Sequence, residues 1–400
     1  MDVLVVSAHP RVVAARARAR ALDAETLHEQ LAVVRIPAPP LQEADRARFV
    51  EARFREHELA DVGTDAVGNV RARLPGCAEP DAAPVIVSAH LDTVFPAGTD
   101  LTPRHEGARL YAPGITDNAR GVAALLTVAR VLRESGIRTA RPLWFVATVG
   151  EEGIGDLRGV KHLFREEGRF RGAAAFIALD GSGLRRIVHR AIGSRRLRAT
   201  VRGPGGHSWS DWGAPNPVHA LGSAIVRLTE LPSVGDGVTL TVARIGGGTG
   251  VNTIPAEAWM EIDVRGERAD VLQRTNDAAR AVLRAAVRAE NERRRAGSAV
   301  LTLDLTRIGD RPSGAIADTD PLVRAAVDAT SAVRARAQLA ASSTDANVPI
   351  ALGIPAVTVG AGGESGGIHT EGEWYSNREA ARGVERALLL ALAAADLAAD

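Results

Sequence analysis

Residues 83–92 read APVIVSAHLD, an unbroken apolar run that ends in His90 and, two residues on, Asp92. Short β-branched runs of this kind suit strands buried on both faces of an α/β sheet. Two more follow: RPLWFVATVG (141–150), which runs out at Glu151-Glu152, and AAAFIALD (173–180), which ends on Asp180. GVAALLTVARVLRES (121–135) lies between the first two and has helical periodicity. A fourth run, GIPAVTVG (353–360), leads through a glycine-rich turn to His369. The opening stretch, to about Arg55, reads as helix broken by Pro37, Pro39 and Pro40. This pattern predicts an α/β fold with polar, chemistry-bearing residues at its strand ends.

Between about Ile187 and Asp310 the pattern changes. RRLRATVRG, GVTLTVARIGGG, AEAWMEIDVRG and AVLTLDLTRIG alternate apolar with polar residues, as half-buried antiparallel strands do. Helical segments near 215–230 and 268–295 are interleaved, giving the order β-α-β-β-α-β of a split arrangement. Residues 187–310 therefore read as an α+β domain inserted into another, whose two parts are 1–186 and 311–400.

Composition narrows the function classes. A chain of 400 residues is comfortable as two domains. Apolar residues make up 46% and charged residues 24%, and the net charge is +1. That balance gives no global pull toward nucleic acid or an anionic membrane. Cys77 is the single cysteine, so a metal site within one chain must draw on histidines and carboxylates. The run Val3 to Ala8 is too short for a signal h-region, and no segment approaches the ~20 apolar residues that span a bilayer. A cytoplasmic protein is expected.

The strand ends carry the chemistry. Ligands of open α/β sheets bind outside the carboxyl ends of the strands. His90, Glu151, Glu152, Asp180 and His369 all lie there, and Asp117 follows in the loop before the helix at 121–135. In a strand, residues i and i+2 share a face, so Asp92 is expected to reach and orient the His90 imidazole. Two histidines and at least three carboxylates are a donor set for two divalent ions with one carboxylate bridging. Singly, each residue has an ordinary reading: Asp117 as a helix cap, Asp180 as a turn residue, Glu151-Glu152 as a solvated loop. Five such coincidences at successive strand ends weigh against those readings and for a metal site.

The motifs SAHLDTV, GITDNARGVAAL, GEEG, ALDG and GIHTEGE resemble, in order, those of the co-catalytic zinc peptidases and deacylases. That family includes peptidase T, glutamate-releasing carboxypeptidases, acetylornithine deacetylase and succinyl-diaminopimelate desuccinylase. SSTDANVPIALGIPAVTVGAGG (342–363) is similar to the peptidase T branch. The resemblance implies a mixed-sheet zinc-exopeptidase-like catalytic domain and a lid or dimerisation domain. It implies two divalent metal ions, zinc first, with cobalt or manganese as alternatives. Asp117 would bridge them, with His90 and Asp180 completing one site and Glu152 and His369 the other. Glu151 would be the general base acting on the bridging water or hydroxide, and Asp92 would fix His90. The division of labour between Glu151 and Glu152 comes from the resemblance, not from the strand pattern.

The resemblance also gives RGPGGHSWSDWG (202–213) a role. A glycine-rich loop with an exposed histidine is its plain reading, whereas the family places a histidine here that stabilises the oxyanion in the partner subunit. His207 is thus expected to act across a homodimer interface built by the inserted domain. Asn252 and Arg265 resemble the family's contacts to the substrate backbone and carboxylate, although Arg265 also suits a surface salt bridge. Gly360, Gly362 and Gly363 suit either a close approach to substrate or a simple turn. Asp, rather than Glu, at position 180 leans toward the aminopeptidase and dipeptidase side. The expected substrate is a short peptide, the alternative an acylated amino acid. A silent scaffold would be expected to lack a ligand or the base, and a nucleotide-binding reading of GGGTG (246–250) lacks the following helix and acidic residue.

Overall fold

The computed structural model describes residues 2–78, 82–165, 168–231 and 237–398. The chain forms two compact units, Met1–Ala191 with Ala315–Asp400, and Ile192–Gly314. These limits fall about five residues later than the change of sequence pattern at 186/187 and 310/311. The reason at the first limit is the strand Arg186–Ala191, which hydrogen-bonds to Gln338–Ser342 and Ala356–Val359 inside the first unit's sheet.

The first unit is built on a nine-stranded mixed sheet. At its centre Leu143–Thr148, Val85–His90, Ala175–Leu179 and Ala356–Val359 lie in that spatial order, all parallel. Every residue of these four strands is buried, which is why they read as continuous apolar runs. Parallel alignment puts their carboxyl ends on one edge of the sheet. Helices Ala119–Ser135 and Ala380–Ala394 are buried along most of their length in the same core. The helical opening stretch comprises Val3–Ala8, Pro10–Ala21, Asp23–Val34 and Ala44–Glu56, with the expected break at Pro37, Pro39 and Pro40 between the last two and further breaks before it. One break falls at Pro10, which occupies the first helical position where its missing N–H costs nothing. A small antiparallel sheet joins Glu364–Gly366, Trp374–Ser376, Arg109–Tyr111 and Arg104–Glu106.

The second unit has the β-α-β-β-α-β order. Its four-stranded antiparallel sheet runs Val238–Gly247, Glu257–Gly266, Gly193–Arg202, Thr302–Arg311. Glu257–Gly266 alternates buried with half-buried residues, and its buried Met260, Ile262 and Val264 share a core with Leu221 and Leu283. Leu221 and Leu283 come from helices Pro217–Thr229 and Ala269–Glu292. No helix among the described residues is long and apolar enough to cross a membrane.

Candidate metal centre

His90 closes its strand and is 3% exposed. Its Nε2 lies 3.0 Å from Asp117 Oδ1 and 3.9 Å from Asp180 Oδ1. From the other side, His369 Nε2 lies 3.1 Å from Asp117 Oδ2 and 3.0 Å from Glu152 Oε1. Asp117 thus offers one oxygen to each imidazole, with Asp180 flanking His90 and Glu152 flanking His369. The five residues expected as ligands come together, and atoms of His90, Asp117 and Glu152 lie within 4.8 Å of one another. Asp117 Oδ1 is buried and has no well-aligned hydrogen-bond donor, although His90 Nε2 stands 3.0 Å away. A buried carboxylate oxygen without an aligned donor, among two imidazoles and two further carboxylates, suits a divalent cation.

The electrostatics agree. Burial alone would keep Asp117 protonated and His90 neutral. Contacts from His369 and His90 instead hold Asp117 well below the usual carboxylate range, and Asp117 and Asp92 hold His90 well above the usual histidine range. Hydrogen bonds to Asp117 and then Glu152 push His369 to about 10. Asp180 is pushed up to about 7, first by burial and then by the charge of Asp117. Carboxylate charge exceeds what the imidazoles neutralise, so the site favours added cations.

Asp92 does not act quite as the strand pattern predicts. The strand ends at His90, so the pleat that would bring the Asp92 side chain beneath His90 does not continue. The His90 Nδ1 atom is 3.0 Å from the Asp92 backbone oxygen but 3.6 Å from its carboxylate. That carboxylate, fully buried, accepts the backbone N–H groups of Glu151 at 2.9 Å and Glu152 at 2.7 Å. Burial opposes its ionisation, yet His90 and these two donors hold its pKa below the ordinary value. Asp92 therefore fixes the Glu151-Glu152 turn with its side chain, and holds His90 with its main chain at 3.0 Å and more loosely with its carboxylate at 3.6 Å. Both glutamates are buried.

Asp117 is not the helix cap. Asn118 caps the helix Ala119–Ser135, its Oδ1 accepting from Gly121 N at 3.1 Å and Gly181 N at 3.2 Å. Its Nδ2 donates to Leu179 O at 2.9 Å, tying the Asp117 loop to the strand end before Asp180. The Asp117-Asn118 peptide bond is cis. A Cβ at Gly121 would stand 2.1 Å from Asn118 Oδ1, so this junction requires glycine.

Three positions have a role that the sequence did not assign, two of them inside the motifs GITDNARGVAAL and GIHTEGE. Asn118 is one. Arg46, 1% exposed, donates to Leu91 O at 2.7 Å and through two nitrogens to Ile36 O, pinning the chain between His90 and Asp92. Glu373, fully buried, accepts N–H groups from the loop that carries Asp117. Burial pushes its pKa to about 7 despite these donors. Its signal in the sequence is its place at the end of the motif GIHTEGE, which names no role without the fold. The glycines after Val359 serve packing: a Cβ at Gly360 would meet Ser182 O at 2.0 Å, at Gly362 Ala380 O at 2.3 Å, and at Gly363 the Tyr375 ring at 2.3 Å. They do not need a substrate to explain them.

In the second unit, His207 and Asn252 come together. Gly206–His207 pairs with Thr253–Ile254, and Ser208 N donates to Asn252 O at 3.0 Å. Trp209 N donates to His207 Nδ1 at 3.2 Å, which leaves Nε2 to carry the proton. Asp211 Oδ2 accepts from His207 N at 2.7 Å and closes the turn. Arg265 is elsewhere: it pairs with Thr239 and Ser194 near the end of the sheet where the chain enters and leaves this unit. Its Nε bonds Asp263 at 2.8 Å, the surface ion pair of the plainer reading.

Fold and cluster define the class: a mixed-sheet α/β chain with a histidine and carboxylate centre at its parallel strand ends and an inserted α+β unit. The chain belongs to Peptidase family M20/M25/M40, whose family model matches residues 86–393. A putative succinyl-diaminopimelate desuccinylase of Mycobacterium tuberculosis is 30% identical over 242 residues, 58% of this chain and 66% of that one. The cytosol non-specific dipeptidase of Escherichia coli is 28% identical over 269 residues, 60% of this chain and 53% of that one. The chain thus spans between about half and two thirds of these curated relatives. Aminopeptidase PepT of Bacillus cereus shares the fold, with a TM-score of 0.74 at 22% identity, over 94% of this chain and 99% of that one.

Proposed function

We propose that this chain is a metal-dependent exopeptidase that hydrolyses an amide bond in short peptides, using two divalent ions. The observation that carries the reading is Asp117, whose two oxygens face His90 at 3.0 Å and His369 at 3.1 Å. His90, Asp117 and Asp180 would hold one ion, Asp117, Glu152 and His369 the other, zinc being the first choice for this donor set. When bound, the ions supply Lewis acidity for the scissile carbonyl and lower the pKa of a water. Glu151, held by Asp92, takes a proton from the attacking water and delivers it to the leaving nitrogen as the carbon–nitrogen bond breaks.

His207 fits the oxyanion role, since its Nδ1 is occupied by a backbone N–H and Nε2–H is the donor. The second unit's geometry supports action in trans. From Glu257, beside the His207 loop, to Arg265 is eight residues of strand, roughly 26 Å. A tripeptide spans roughly 10 Å. If His207, Asn252 and Arg265 all serve one short substrate, two copies of the chain must contribute. The strand Val238–Gly247 lies at an edge of the sheet with Ile245 54% exposed, which favours pairing with a second copy through this unit.

The second reading, an N-acyl amino acid amidohydrolase, is favoured by the desuccinylase relative and uses the same residues. Asp at 180 favours peptides. A panel of di- and tripeptides against N-acetyl and N-succinyl amino acids decides: turnover of peptides is expected, and turnover confined to acylated amino acids would overturn the peptidase reading. The expected location is the cytoplasm, where the exposed thiol of Cys77 stays reduced.

A further inference from the structure

Glu373 lies between two segments that each carry one residue of the central histidine–carboxylate contact. It is four residues past His369 and directly precedes the strand Trp374–Ser376, which pairs with Arg109–Tyr111. Its carboxylate is fully buried. Oε2 accepts the N–H of Gly114 at 3.0 Å, and Oε1 accepts those of Thr116 at 2.7 Å and Asp117 at 3.1 Å. The Glu373 backbone oxygen accepts from Ala112 N at 3.1 Å, so main chain and side chain grip the same loop. Three peptide N–H groups converging on one carboxylate define a backbone conformation, and here the defined residue is Asp117.

We propose that Glu373 is a positioning residue for the metal centre: it fixes the loop 114–117 so that Asp117 presents one oxygen toward His90 and the other toward His369. Its partners are peptide N–H groups and it acts through Asp117, as groups that support a ligand do. The chemistry of the replacement follows from the geometry. Glutamine keeps one oxygen for Thr116 and Asp117 but turns an NH2 toward the Gly114 N–H, donor against donor. Glutamine also has no charge to bury, which offsets part of the lost hydrogen bonding in the fold as a whole. The loss should therefore fall on ion affinity and turnover more than on stability.

This inference rests on the two-ion reading above, and the test separates them. Zinc(II) affinity of metal-stripped protein is measured by competition with a chelating dye for wild type, Glu373→Gln and Glu364→Gln, the last an exposed glutamate on the neighbouring strand. Wild type binding no zinc would remove the two-ion reading itself. With wild type binding two, Glu373→Gln is expected to bind about 10- to 100-fold more weakly. At saturating zinc its kcat is expected to fall at least tenfold with KM within about twofold, while Glu364→Gln matches wild type. Metal-stripped Glu373→Gln should melt within a few degrees of metal-stripped wild type. Wild-type zinc affinity in Glu373→Gln overturns the proposal; so does a variant that simply unfolds, because its role is then general stability.

Discussion

Replacing Asp92 by asparagine tests how the active turn is held. The carboxylate accepts two backbone donors, Glu151 N at 2.9 Å and Glu152 N at 2.7 Å, with no exposure to solvent. Asparagine presents one oxygen, so one N–H loses its acceptor and meets an NH2 instead. A hydrogen bond to a charged group contributes about 1.5–3 kcal/mol. The neutral amide recovers some of this because no charge is buried, leaving a net cost to folding of about 1–2 kcal/mol. Activity should suffer more, because displacing a reacting group by about 1 Å costs on the order of 10²-fold. We expect kcat for a good dipeptide to fall about 10²-fold, equivalent to about 2.7 kcal/mol of barrier, with KM little changed. The assay is initial rates with metal content measured on the same samples. Since the Asp92 pKa is lowered from 3.8, its contribution to wild-type stability is present above that pH and fades only as pH falls through its folded value. A variant with two ions bound and kcat within threefold of wild type would refute the argument.

Three further outcomes follow from the same geometry. Ion binding at pH 7 should release protons, because His369 sits at about 10 and Asp180 at about 7 before an ion displaces them; calorimetry in buffers of different ionisation enthalpy should show net release, and none would contradict the assignment. Mixing His207→Ala with Glu151→Ala subunits should restore part of the activity if the histidine acts in trans; verified heterodimers without activity would place it in its own chain or outside the chemistry. Gly360→Ala should lower the melting temperature by several degrees, since its Cβ would stand 2.0 Å from Ser182 O and overpacking costs about 1–3 kcal/mol; an unchanged melting curve would show that the turn relaxes freely.

Much of this molecule is legible in its sequence, for physical reasons that differ by element. The four central strands announce themselves because burial on both faces leaves no room for polar residues, and the second unit's strands because one face is wetter. Four of the five residues proposed as ligands stand out because each ends or follows such a strand, and Asp117 because it precedes the helix Ala119–Ser135. What sequence conceals is where the chain turns. Asp92 lies beyond its strand, so the i, i+2 rule brings its carboxylate to 3.6 Å from His90 Nδ1 but does not show that it also accepts the Glu151 and Glu152 N–H groups. Glu373 closes the motif GIHTEGE, but its role is hidden because its partners are backbone N–H groups 256 to 259 residues earlier. The glycines at 360, 362 and 363 could equally face substrate or protein, and only the packing distances decide. Asn252 and Arg265 share one hairpin in sequence, yet the length of a strand separates them.

Restoring metal to stripped protein while following hydrolysis of a dipeptide tests whether the His90–Asp117–His369 cluster works as a two-ion hydrolytic centre. Turnover in the stripped protein should be negligible, and activity should rise until two divalent ions per chain are bound. Glu151→Gln should take up the same two ions with kcat lower by about 10²- to 10⁴-fold. Full activity in protein free of divalent ions, or wild-type turnover by Glu151→Gln, would contradict it.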